Sequence, residues 1–347
     1  MDWTLPADVE ELEDLLSAPY PEDIEFARGL EEDVIILGAG GKMGPTLARR
    51  IAGAINAAGV KSRLFAVSRF TDEEVRKKLE AHGITIIRAD LLDDEACEQR
   101  LADLPRCPNV IFMAGMKFGA TGNEPLTWAK NAYLPGRVAE HFRESRVVVL
   151  STGNVYPLVP LSSGGSKETD APEPIGEYAQ SCLGRERVFA YFAERHSTRV
   201  CIIRLNYAVE ARYGVLLDIA RRVYSGEPVP VGMGYVNVIW QGEANSAVFR
   251  ALGLCGSPAE LLNVTGLETL STRRLAGEFA RRFGRETVIE GEEGTTALLS
   301  DASRCYKLLG IPRVPLEWLL DLTADWMKRG GITYQKPTKF EVRDGKF

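Results

Sequence analysis

Val34-Ile35-Ile36-Leu37-Gly38-Ala39-Gly40-Gly41-Lys42-Met43-Gly44 is the stretch on which the fold turns. An apolar strand runs directly into glycines, and Pro45, a residue that a first helical turn tolerates, opens the next element. In a strand, glycine turn and helix of this kind the backbone passes close to a phosphate group. The unpaired N–H groups of the helix's first turn then face the negative charge. Placed on a first strand inside a βαβ unit, such a loop points to dinucleotide binding; the competing reading is a plain structural turn.

Outward from this stretch, short β-rich runs alternate with helical ones. Strands are expected at Val34–Leu37, Arg63–Val67, Thr85–Ile87, Val110–Phe112, Val147–Leu150 and Val200–Ile203. Helices are expected near Thr46–Ala57, Asp72–Ala81, Glu95–Ala102, Leu126–Phe142 and Tyr178–Arg195. Repeated units of this kind build an α/β fold with a doubly wound parallel sheet. After Arg204 the rhythm loosens, and Gly226-Glu227-Pro228, Gly232-Met233-Gly234 and the Pro312/Pro315 region punctuate shorter elements. The expected division is an acidic arm over 1–30 with one helix, a dinucleotide-binding domain over 31–205, a smaller substrate domain with late sheet elements over 206–327, and a basic tail over 328–347. Arm and tail carry opposite charge and are candidates to dock on each other.

The chain has 347 residues, and at about 150 residues per domain this length fits two domains. With 45 % hydrophobic and 26 % charged residues it has the composition of an ordinary globular protein. Nine acids and the single base Arg28 put the first 30 residues at −8 out of a net −6, which leaves the remainder near +2. A body so close to neutral offers nucleic acid no electrostatic footprint. No apolar run approaches the ~18 residues of a membrane span, and the N-terminal stretch lacks the basic flank and apolar run of a secretory signal. Six cysteines without a CxxC pair, beside three scattered histidines, indicate neither a metal site nor a disulfide framework. The expectation is a cytoplasmic enzyme with reduced thiols, no metal, and no nucleic-acid or membrane partner.

Met43 breaks the G-x-G-x-x-G spacing, whereas Gly38, Gly41 and Gly44 give G-x-x-G-x-x-G. This form resembles the extended branch of the short-chain dehydrogenase/reductase superfamily, the NAD(P)-dependent epimerases and dehydratases of nucleotide sugars. The resemblance implies a Rossmann-type sheet with a smaller C-terminal substrate domain, and it sets Gly38, Gly41, Lys42, Met43 and Gly44 against the cofactor. NAD-using relatives place an acid at the Ser68 position; here Ser68 is followed by Arg69, which removes the repulsion of a 2′-phosphate and offers it a cation. The cofactor is therefore NAD or NADP, with a lean to NADP. Asp90-Leu91 is similar to the pair that contacts adenine, and Ala114-Gly115-Met116-Lys117 to an Ala-Gly-x-Lys segment that lines the cofactor. Asn131 falls at a cofactor-side hydrogen-bonding position of the family, its other reading being a surface polar residue. Leu150-Ser151-Thr152-Gly153-Asn154-Val155-Tyr156 resembles the family's Ser-Ser/Thr-x-x-Val-Tyr-Gly element. It puts Thr152 on the catalytic Ser/Thr, with Ser151 and Asn154 on the substrate side. Tyr178 matches the catalytic base, and Asn206, in a shortened Arg-x-x-Asn element, a substrate ligand. Asn263-Val264-Thr265-Gly266 has the look of a substrate-domain segment, and the tail from Lys336 to Val342 matches nothing.

One departure bears on mechanism. The family sets a Lys one helical turn after its Tyr, so that both side chains face the nicotinamide; here that position is Cys182. A free Tyr ionises near pH ~10, and a cation about 6 Å away at an effective dielectric of about 20 is worth roughly two pKa units. Lys117 and Arg185 are the candidate replacements, Lys117 the better placed. Cys182 itself reads as a small packed hydrophobe or, less simply, a nucleophile. Two functions follow: a redox-neutral epimerase or related reductase acting on a sugar or nucleotide sugar, or a dinucleotide-binding sensor or scaffold that has lost catalysis. The resemblance also implies a homodimer that packs the helices of Leu126–Phe142 and Tyr178–Arg195.

Overall fold

The computed structural model describes residues 4–93, 95, 98–117 and 119–346. In β1 (Val34–Leu37), Val34 and Ile36 enter the core on one face of the sheet, and Ile35 and Leu37 the core on the other. A strand covered on both sides has to be apolar throughout, which is why its sequence shows no alternation. β2 (Leu64–Ser68), β3 (Thr85–Arg88), β4 (Asn109–Phe112) and β5 (Arg146–Thr152) join it, together with strands Arg199–Leu205 and Glu260–Val264. The order across the seven-stranded sheet is Glu260–Val264, Arg199–Leu205, β5, β4, β1, β2, β3, with every pair parallel. The expected α/β sheet is present. Its order reverses between β1 and β4, where the strand ends part and leave a crevice.

Four findings correct the sequence reading. Asn263 and Val264, read as a substrate-domain segment, belong to a strand of the large sheet, one of the late sheet elements within 206–327; Glu260 and Asn263 disguise this short strand. The stretch expected as helix Glu95–Ala102 holds a turn at Glu95, a bridge between Gln99 and Ala89 and a 3-10 turn Leu101–Asp103, while residues 96 and 97 lie outside the described residues. The helix expected over Leu126–Phe142 is broken into α5 (Glu124–Trp128), a π-turn Ala129–Tyr133 and α6 (Leu134–His141). Pro135 has no N–H to return to the carbonyl of Asn131, so the ladder loosens at that point.

The fourth correction concerns the arm, which forms two helices, α1 (Val9–Ser17) and α2 (Pro21–Arg28), laid on α3 (Gly44–Ala58). Leu12, Leu16, Ala27 and Leu30 are buried, and the fully buried pair of Arg50 and Asp23 at 2.7 Å pins the arm to α3. Its acids meet bases of the body: Glu13 pairs with Arg49, Lys78 and Arg212. Arm and tail meet where Arg329 donates to the carbonyls of Pro6 and Ala7, and across Arg212, which also stacks on Tyr334.

The second lobe gathers α8 (Val215–Ser225) and helices Thr272–Phe283 and Leu316–Lys328 around a core with Val215, Ile219, Phe279, Leu320 and Trp326. Among the described residues no helix is long and apolar enough to cross a membrane, and no group of three or more His, Cys, Asp or Glu side chains is placed to hold a metal ion.

Candidate active site

A long cleft crosses the C-terminal ends of β1 and β4 in two halves that share Gly38, Gly41 and Met113. The loop glycines have different reasons to be there. Gly38 has φ +94°, and a Cβ on it would lie 2.6 Å from the Ala114 nitrogen. On Gly40 the Cβ would meet the Ser68 hydroxyl at 2.6 Å, and on Gly44 the Ala39 carbonyl at 2.2 Å. Fixed backbone therefore demands glycine at Gly38 and Gly44, whereas at Gly40 the Ser68 hydroxyl would have to turn aside. At Gly41 the nearest atom would be 3.4 Å away, an ordinary contact, and the position faces both halves of the cleft. A glycine that packing does not require, at the N-terminus of a helix whose first-turn N–H groups lack intrahelical partners, is a cradle for phosphate.

The first half, about 960 Å³, lies beside β2 and β3. Ser68, Arg69, Asp90, Leu91, Ala114 and Gly115 all line it, as expected. Asp90 accepts from the amides of Leu92 and Asp93, and its carboxylate lies 3.8 Å from the Nε of the largely exposed Arg69. Phe70, which the sequence reading did not single out, forms a wall in the left-handed conformation at φ +45°.

The second half, about 930 Å³, lies between β5, α7 (Gly176–His196) and the start of α8. Lys42, Met43, Lys117, Ser151, Thr152, Asn154, Tyr178 and Asn206 line it, so segments far apart in sequence meet here. Thr152 ends β5; its hydroxyl donates to the Asn154 carboxamide at 3.0 Å and accepts from the Asn154 amide at 3.2 Å. Ser151 donates to Glu186 at 2.5 Å, and Glu186 holds Arg204 in a buried pair at 2.7 Å that fixes α7 to the sheet. Asn206 reaches the carbonyl of Leu298 at 3.4 Å, and Gly153 leaves room for it.

Burial raises Tyr178 well above an ordinary tyrosine, the neighbouring Cys182 adds to the rise, and Arg185 and a hydrogen bond with Thr152 pull it back. The Nζ of Lys117 lies 5.9 Å from the Tyr178 ring centre, and burial lowers its pKa to about 8. Lys42, over the ring of Tyr213 at 3.7 Å, is lowered to about 7, again by burial, against the pull of Glu210.

Four of the candidate residues do not face the cleft. Gly44 is closed off beneath Ala39. Asn131 is fully buried: its Oδ1 accepts from the Met116 amide and from Arg185, both at 2.8 Å. Its Nδ2 donates to the Met116 carbonyl at 2.9 Å and the Ser181 hydroxyl at 3.0 Å. With all four bonds made inside the protein, it braces the Ala114–Lys117 turn and has none left for a cofactor. Cys182 is 1 % exposed, packed with Val155, Tyr156 and Leu183 behind Tyr178, and burial raises its thiol. That setting suits a hydrophobe rather than a nucleophile. Arg185 donates to the Leu150 carbonyl at 2.6 Å and to Asn131, so its guanidinium lies behind the cleft wall.

Tyr207, Tyr213 and Thr338 line the second half although the sequence reading did not single them out. Tyr207 follows Asn206 in the left-handed conformation at φ +45°, a strained arrangement that clusters at functional sites. Thr338 comes from the tail, where no local pattern announced it.

Comparison with known proteins agrees with this fold. MoeE5 in complex with UDP-glucose and NAD matches with a TM-score of 0.68 and 22 % identity over 86 % of this chain and 99 % of that one. UDP-glucuronic acid 4-epimerase from Bacillus cereus, in complex with UDP-glucuronic acid and NAD, matches at 0.70 and 17 % over the same shares. UDP-glucose 4-epimerase from Thermus thermophilus in complex with NAD matches at 0.67 and 19 % over 85 % and 99 %. At these identities the likeness is one of fold. A search of curated proteins found no match. The model of the NAD dependent epimerase/dehydratase family matches residues 34–236, more than half of the chain and all of the cleft's first half, and the chain belongs to that family.

Proposed function

We propose that this chain is an NAD(P)-dependent epimerase or reductase acting on a sugar or nucleotide sugar. The observation that carries the reading is the meeting of the Tyr178 and Thr152 hydroxyls in the half of the cleft that Gly41 and Lys42 border. The bound dinucleotide supplies the hydride acceptor. Tyr178 takes the proton from a substrate hydroxyl at its phenolic oxygen, and Thr152 hydrogen-bonds the same substrate oxygen. Gly41 gives the pyrophosphate its approach, Lys42 offers it a cation, and Ser68 and Arg69 face the adenosine ribose. The similar structures that hold UDP-sugars with NAD support a sugar nucleotide as one option. Lys117, its Nζ 5.9 Å from the Tyr178 ring centre, stands in for the missing lysine; in general a cation about 6 Å from a phenolate stabilises it by roughly 2–3 kcal/mol.

A second reading, a dinucleotide-binding sensor or scaffold, draws on one observation: Cys182 brings no charge and burial holds Tyr178 protonated. Calorimetry with NAD and NADP, followed by the near-ultraviolet absorbance of reduced cofactor with sugars and nucleotide sugars, separates the two. Cofactor binding with Tyr178-dependent turnover supports the enzyme; cofactor binding with no turnover by the native chain, and turnover only after Cys182→Lys, supports the sensor. The exposed rings of Trp128 on α5, Tyr133 in the π-turn and Tyr191 on α7 support a homodimer, which sedimentation tests.

A further inference from the structure

The second half of the cleft has two cations in its lining, and both have other work. Lys42 borders the glycine loop, where a bound pyrophosphate would engage it, and Lys117, 5.9 Å from the Tyr178 ring centre, serves the Tyr178 phenolate. The rest of the polar and aromatic lining is neutral: the hydroxyls of Thr152 and Thr338, the amides of Asn154 and Asn206, and the rings of Tyr178, Tyr207 and Tyr213. The arginines nearby are held elsewhere. Arg212 is buried between Glu210 and Glu13, each at 3.1 Å. Arg204 belongs to Glu186.

Outward from the cleft, the chain's own tail fills the groove. The amide and hydroxyl of Thr338 both donate to Asp218 at the start of α8, at 2.7 and 2.6 Å. Phe340 is 3 % exposed in the core of the second lobe. Arg343 donates to the carbonyls of Thr296 at 2.7 Å and Gly232 at 3.1 Å. Gly345 then lies on the backbone of Ile175 and Gly176, immediately before Tyr178, so close that a Cβ on Gly176 would sit 2.4 Å from its carbonyl oxygen. Four inward-facing anchors make this segment a wall.

We infer that the substrate taken beside Tyr178 is an uncharged polyhydroxylated ring of about monosaccharide size, not a nucleoside diphosphate sugar, and that Thr338 sets this specificity. The inference rests on the reading of Tyr178 as the proton-transfer group and narrows its substrate. A diphosphate removed from water needs charge-assisted donors, above all guanidinium groups, and loses free energy without them. Tyrosine faces and neutral hydroxyl and amide groups suit the C–H faces and hydroxyls of a sugar ring.

The test uses the whole chain, first titrated with NAD and with NADP. Failure to bind either defeats the cofactor reading and is thereby told apart from the present inference. UDP and UDP-glucose are then titrated into the protein loaded with whichever of the two binds more tightly, and free hexoses, hexitols and methyl hexosides are screened by saturation-transfer NMR. The expected result is no saturable binding of UDP or UDP-glucose at millimolar concentration and binding of at least one neutral polyol. Thr338→Phe, which fills the wall, should weaken that polyol tenfold or more with NAD affinity unchanged, while Thr338→Ser, which keeps the hydroxyl on Asp218, retains it. Saturable binding of UDP-glucose that UDP displaces overturns the inference, with Arg343→Ala showing whether the tail's guanidinium holds the phosphates. A panel in which no neutral polyol binds overturns it as well.

Discussion

The two halves of the cleft are built by different means. In the first, the backbone makes the site: Gly38 and Gly44 are demanded by contacts with the backbone of Ala114 and Ala39, and the lining follows the ends of consecutive strands. In the second, β5, α7, the segment Leu205–Val215 and the tail contribute one or a few side chains each, and the titratable groups are displaced from their ordinary pKa values. Each half has one aromatic wall residue in a left-handed conformation, Phe70 and Tyr207, both at φ +45°. The difference teaches that cofactor geometry here is a local property of the chain, whereas the chemistry depends on contacts made over its whole length. A substitution should therefore separate binding from turnover according to the half it touches.

The largest effect should break the second half alone. Tyr178→Phe removes the phenolic oxygen and should lower turnover by about 10²–10⁴-fold, with cofactor affinity unchanged by calorimetry. Full activity in this variant means that another group transfers the proton. In the first half, Gly41→Val should abolish cofactor binding at nearly native melting temperature, because the side chain points into the cleft. Gly44→Val drives its side chain into the Ala39 backbone, so it should lower the melting temperature as well. Thermal melts paired with NAD titration distinguish the two glycines, and cofactor binding that survives Gly41→Val puts the dinucleotide elsewhere.

A smaller effect concerns pH. Tyr178 acts as a base only when ionised, and burial raises its pKa, so activity should climb with pH well above neutrality. Lys117 opposes this climb in part: with a pKa of about 8 it loses its charge as the pH passes that value, unless a bound anion restores it. Cys182→Lys places a cation one turn from Tyr178 and should move the alkaline limb towards neutrality by about one to two units. Lys117→Met should move it the other way. A limb that responds to neither substitution rules out electrostatic control of Tyr178 from these positions.

The sequence made the first half legible because strand, loop and helix there are contiguous, and glycines and prolines mark local backbone geometry. Ser68, Arg69, Asp90 and Leu91, to which the family resemblance pointed, line this half. It also marked Thr152 and Tyr178, which sit at the end of a strand and the first turn of a helix. It misplaced Asn131, since residue type does not reveal that four internal partners use up its carboxamide. It did not foresee Tyr207, Tyr213 or Thr338, because a tail packed against α8 is a long-range contact with no periodicity of its own. The strand Glu260–Val264 escaped for a related reason: its place at the sheet edge is fixed by its partner Arg199–Leu205 rather than by its own five residues.

The smallest effect tests the rim of the first half. Arg69 is mostly exposed, and the nearest charge to its Nε is the Asp90 carboxylate at 3.8 Å, too long for a strong pair. A 2′-phosphate on the adenosine ribose would draw Arg69 away from Asp90 at little cost, but the same carboxylate repels the phosphate. The two opposing charges leave a modest preference, and NADP should bind at least as tightly as NAD. Arg69→Ala should weaken NADP by about tenfold, the worth of one charge-assisted hydrogen bond at a wet rim, and leave NAD nearly unchanged. Asp90→Asn should shift the ratio further towards NADP by removing the repulsion. Calorimetry with both cofactors on the three proteins decides it: a clear preference for NAD that Arg69→Ala does not alter means that Ser68, and not the cation beside it, governs the choice.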